Sequence, residues 1–109
     1  MRITVSQEAL SSTLGVVSKA VSTKNTIPVL SGIYLSARNG TLTMRATDME
    51  LAIESATPCP VVEEGEVVLP ARYFTDLVRR IPYGDMDLAV DHRNFTATLK
   101  WGKSQYVIH

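Results

Sequence analysis

The chain has 109 residues, enough for one domain with a core of its own. Eleven basic and eleven acidic residues cancel, so bulk charge names no partner, nucleic acid or otherwise, and only the placement of charge can. A single cysteine excludes an internal disulfide and suits a reducing cytoplasm; the opening MRITVSQEAL lacks the apolar core of a secretion signal, and no apolar run approaches the ~20 residues of a membrane span.

In chain order, residues 2–5 form a short β-prone run, and Ser6 then offers an N-cap oxygen to a helix predicted over residues 7–21. Leu10, Leu14, Val17 and Val21 make its apolar stripe; Glu8, Ser12, Gly15 and Lys19 lie opposite and are mostly small. A looser segment with Pro28 and Gly32 follows. Three alternating runs come next. Ile33, Leu35 and Ala37 share one face, as do Leu42, Met44 and Ala46, with the type I′ hairpin signal Asn39-Gly40 between them. The third places Met49, Leu51 and Ile53 on one face. All three read as half-buried antiparallel strands with one wet face. TPCPVVEEGE reads as a connection. It places Cys59 between two prolines, an inert thiol with no histidine near it in sequence.

The order then starts again. Residues 66–70 predict a strand and 71–81 a helix, whose apolar stripe is Phe74, Leu77, Val78 and Ile81. Met86, Leu88 and Val90 alternate, then Phe95, Ala97, Leu99 and Trp101, then Tyr106 and Ile108 after a turn at Gly102-Lys103. Strand, helix and three strands occur twice, over about 1–57 and 65–109, as a repeat of element order rather than of sequence. The expected fold class is α+β: a single two-layer domain, two helices on one side of antiparallel sheet, with a pseudo-twofold βαβββ repeat.

Charge is sorted between these layers. The helices and the loop after the first carry five basic residues, Lys19, Lys24, Arg72, Arg79 and Arg80, against the acids Glu8 and Asp76, a net of +3; the rest of the chain carries net −3. Arg72 and Arg79 are seven residues apart and therefore share one side of their helix, roughly opposite its apolar stripe. A basic face with small residues beside it suits the backbone of a polyanion, without base-specific contacts. The bland alternative is a solvated helix face in which both arginines pair with Asp76 at i,i+4 and i,i+3 spacing.

The residues also carry a resemblance. Pro28-Val29-Leu30, Asn39-Gly40-Thr41-Leu42, Thr47-Asp48-Met49-Glu50 and Pro70-Ala71-Arg72 with Phe74 together resemble the first domain of the bacterial β sliding clamps, the DNA polymerase III subunit beta, from Met1 to His109. The resemblance implies that 1–109 is the N-terminal domain of a three-domain chain, two of which close head to tail into a ring around duplex DNA. Helices would line the hole and sheets form the wall. It places DNA contacts at Lys24, Arg72 and Arg79, and subunit-interface residues at Tyr106 and Ile108. Lysine at 24, where the family often has arginine, keeps the charge and loses the bidentate fork. The implied partners are double-stranded DNA, a second copy, and the replicative polymerase and clamp loader through domains outside this chain. A bacterial cytoplasmic location and no membrane contact follow as expectations.

No catalytic residue, metal site or cofactor is expected. Asp48 and Glu50 read as a turn and a wet face. His92 and His109 are the two histidines, no Cys/His spacing fits zinc, and no phosphate loop or dinucleotide fingerprint occurs. Any polymerase or nucleotidyltransferase activity would belong to the holoenzyme that a clamp serves. The second functional reading is a protein-interaction module that docks partners through its helix face and edge strand.

Overall fold

The structure, a computed structural model, describes residues 1–21, 32–48 and 50–109. Its elements are β1 (Arg2–Ser6), α1 (Gln7–Val17) continued by one 3₁₀ turn (Ser18–Ala20), β2 (Gly32–Arg38), β3 (Thr41–Thr47), β4 (Ala52–Pro58), β5 (Val61–Glu63), β6 (Gly65–Pro70), α2 (Ala71–Arg80), β7 (Asp85–Asp91), β8 (Thr96–Trp101) and β9 (Ser104–Ile108). The strands form two antiparallel sheets, ordered β5-β1-β7-β8-β9 and β4-β3-β2-β6.

The doubled element order is present, with an exchange that alternation could not show. The first unit is β1-α1-β2-β3-β4 and the second β6-α2-β7-β8-β9. Each lends its first strand to the other's sheet: β1 pairs with β7, and β6 with β2. Neither half can therefore close a sheet alone. The antiparallel layer expected from sequence is thus two sheets, joined by the exchanged strands.

Alternation decides what is buried. Ile33, Leu35 and Ala37 of β2, Leu42, Met44 and Ala46 of β3, Met86 and Leu88 of β7, and Ala97 and Leu99 of β8 join one core with Leu10, Leu14 and Val17 of α1 and Phe74 and Val78 of α2. The helices touch each other; α1 lies over β3 and β4, and α2 over β2 and β6. The buried amide of Gln7 stitches them, its Nε2 donating to the carbonyl of Val78 at 3.1 Å. Asn39 and Gly40 have φ of 53° and 69°, as the hairpin signal requires.

Several sequence expectations need correction. Residues 61–63, read as a connection, form β5 on the outer edge of β1. The first α-helix stops at Val17, and tightens into a 3₁₀ turn before Val21. Leu51 lies before β4 and is exposed, because Asp48 holds a turn there: its Oδ1 accepts from the backbone N–H of Glu50 at 3.0 Å and of Leu51 at 2.7 Å. Those two bonds lower the Asp48 pKa from its ordinary value. Phe95 is in phase with Ala97, yet it sits in the β7–β8 turn at φ 55° and is 83% exposed. The turn's left-handed residue takes precedence over the alternation. Pro28 and Met49 lie outside the described residues.

Candidate nucleic-acid interface

Helix α2 is built around its apolar stripe. Ala71, Phe74, Thr75 and Val78 are buried, Leu77 is half-buried, and Ile81 closes the stripe just past the end. The 3.6-residue period then leaves Arg72, Arg79 and Arg80 exposed. Helix stability accounts for only part of this placement. Arg79 and Arg80 lie in the last turn, where cations complement the helix dipole. Arg72 lies in the first turn, where a cation opposes it, and no acid occupies that turn to offset it. Pro70 before it supplies no capping side chain.

The two arginines are brought together. Arg72 and Arg79 line one shallow groove between α2 and the end of α1, with Ser18, Val21, Thr75 and Asp76. Among the described residues the ion pairs are the Met1 amino group with Glu63 at 3.5 Å and Arg45 with Glu54 at 3.0 Å. The pairing of Arg72 and Arg79 with Asp76 that sequence allowed is therefore not made. At the foot of this groove the Ser18 hydroxyl is buried and has no hydrogen-bond partner among the described residues. Arg79 also borders a second concavity, walled by Gln7, Glu8, Ser11, Ser12 and Tyr83. Ser12 and Gly15 are exposed on α1, as expected of a low, small-residue surface.

Lys24 lies outside the described residues; Val21, the last described position before it, lines the arginine groove. Ser18 and Tyr83 border these concavities and are not singled out by the sequence. The clue for Tyr83 was the Pro82-Tyr83-Gly84 turn at the end of α2, which leaves the ring 82% exposed. For Ser18 no signal existed, since the burial of its hydroxyl is set by tertiary packing.

Tyr106 and Ile108 sit on β9, an edge strand, and do not join the arginine groove. Tyr106 is half-buried against Trp101, ring centroids 4.8 Å apart. Ile108 is 6% exposed and belongs to this domain's own core, paired with Ala97. Val107, between them, is the apolar side chain of β9 that faces outward.

Cys59 is buried, and desolvation pushes its thiol pKa up, away from a reactive thiolate. No group of His, Cys, Asp and Glu among the described residues could hold a metal ion. No helix among them is long and apolar enough to cross a membrane.

Comparisons with known proteins converge. The family model described as DNA polymerase III beta subunit, N-terminal domain, matches residues 1–109. The beta sliding clamp of Synechococcus elongatus is 34% identical over 108 residues, covering 97% of this chain and 28% of that protein. The beta sliding clamp of Synechocystis is 40% identical over 93 residues, covering 84% of this chain and 24% of that one. The crystal structure of the DNA polymerase sliding clamp from Caulobacter crescentus superposes with a TM-score of 0.92 at 31% identity, over 98% of this chain and 29% of that one. The chain thus spans less than a third of the length of these relatives, and within that span it belongs to the family of DNA polymerase III beta subunit N-terminal domains.

Proposed function

We propose that this chain is the first of three domains of a sliding clamp subunit. In this reading two such subunits, joined head to tail, enclose duplex DNA and keep the replicative polymerase on it. The observation that carries the reading is the pair Arg72 and Arg79, exposed, unpaired among the described residues, and turned away from the core on the helix layer. A clamp must hold DNA without reading it. Guanidinium groups meet phosphates in any sequence, and their electrostatic contact permits sliding. Lys24, in the stretch of sequence that follows α1, adds a third cation. β9, with Tyr106 beside its open edge, is the seam toward a second copy, and there the edge and Val107 contribute more than Ile108. The domain itself is non-catalytic and cytoplasmic, and polymerase and clamp loader dock on parts of the subunit beyond residue 109.

The test uses the full-length protein on nicked circular DNA. Replacing Arg72 or Arg79 by Ala should weaken binding equally on all sequences. Each replacement should reduce the slope of log K against log salt by about 0.9. An unchanged slope, or an altered sequence preference, would overturn the phosphate-contact role.

A further inference from the structure

We infer that the groove between the free edges of β6 and β9 is the seat of one more short strand. This strand pairs antiparallel with β6 and is supplied in cis by residues that follow His109 in a chain of the relatives' length. The groove is apolar, walled by Val68, Leu69, Val90, Phe95 and Ile108 among others. Among the described residues β6 and β9 are the end strands of their sheets, so each presents a backbone edge with no partner among them.

The internal symmetry names the occupant. It maps β1 onto β6, β2 onto β7 and β4 onto β9. In the first half the equivalent groove is filled. After β4 ends at Pro58, only Cys59 and Pro60 intervene before β5 pairs antiparallel with the outer edge of β1. The path crosses the tip of the β2–β3 hairpin: the N–H of Cys59 donates to the carbonyl of Gly40 at 3.0 Å, and that of Asn39 to the Glu64 carboxylate at 3.0 Å. Thr4 N–H donates to the carbonyl of Pro60 at 3.1 Å, Cys59 is buried, and Val61 packs on the core. The same path on the other side leaves β9, crosses the tip of the β7–β8 turn and settles on β6.

A second observation marks that path. By position before the following strand, Phe95 is the counterpart of Gly40, and it too has positive φ. A phenylalanine is a costly choice for a left-handed position. Here it is also 83% exposed, with the 51% exposed Val68 on the facing strand. A strand laid in the groove would cover both side chains. Since the chain matches the N-terminal domain and spans about 28% of the Synechococcus relative, a full-length member has chain available beyond His109. The family assignment supplies that continuation and the fold supplies its seat.

Hydrogen exchange tests this on residues 1–109 and on the full-length protein, above and below the concentration at which copies assemble. The amides of β6 that do not bond to β2 should exchange at least about tenfold more slowly in the longer chain, whatever its concentration. Phe95→Asn should reduce that protection in the longer chain, and should not lower the melting temperature of residues 1–109. Equal exchange in the two chains would overturn the proposal. Protection present only on assembly would overturn it in favour of a second copy in the groove. A Phe95→Asn variant that destabilises both chains alike would also overturn it, by assigning Phe95 to the fold already seen.

Discussion

Helices α1 and α2 occupy equivalent places in the two halves and are stabilised in different ways. α1 is well provided at its N-terminal end. The Ser6 hydroxyl accepts from the N–H of Ala9 at 3.1 Å, and Glu8 complements the positive end of the helix dipole. α2 has no side-chain cap, no acid in its first turn, and a cation there instead. Its stability must come from burial, and its outward face carries the two arginines of the groove. The difference teaches that one helix serves the frame while the other displays charge, and that packing is what allows the second to do so.

The strongest way to break this comparison is to remove the packing. Phe74 is fully buried at the centre of the α2 stripe. Phe74→Ala should cost about 3–5 kcal/mol, a large share of the stability of a domain this size. Urea denaturation would read it as a lowered midpoint. A loss below 1 kcal/mol would mean that α2 is held by something other than its stripe.

The opposite probe is the cap. Ser6→Ala should cost about 1 kcal/mol, because it removes the acceptor for one orphan N–H of α1. Pro70→Ala, at the equivalent position before α2, has no such bond to lose. Denaturation of both variants would sharpen the contrast, and equal losses would erase it.

Much of this division was legible in the sequence. The i, i+3, i+4, i+7 stripe located α2 and its buried face, and a seven-residue spacing put Arg72 and Arg79 on one side. Ser6 announced its cap, and Asn39-Gly40 its hairpin. What stayed hidden depends on contacts between distant parts of the chain. Alternation says which face of β1 or β6 is buried; it does not say which strand lies alongside, so the exchange between halves could not be read. β5 is three residues on an edge and too short to alternate. Phe95 had the right phase for a strand, and only the geometry of the four-residue turn removed it. The missing ion pairs of Asp76 are a matter of side-chain direction that spacing leaves open. The Ser18 hydroxyl loses its solvent only in the packed fold.

The smallest effect tests the comparison within α2 itself. Arg72 and Arg79 play the same part toward DNA in the proposed function, and opposite parts toward the helix. Arg72 sits in the first turn and opposes the dipole, whereas Arg79 sits in the last turn and complements it. Asp76 lies four residues after the one and three before the other, and an acid ahead of its base is the better order, so its attraction favours Arg79 over Arg72 and adds to the contrast. Arg72→Gln should therefore raise the melting temperature of residues 1–109 and Arg79→Gln should lower it, each by about 1–3 °C at low salt. In the full-length protein both changes should weaken DNA binding and flatten its salt dependence to the same degree. The thermal difference should shrink as salt screens the exposed charges. If both variants shifted the melting temperature in the same direction, Arg72 would not be a residue kept against the preference of its own helix, and the case for its role in binding would lose that support.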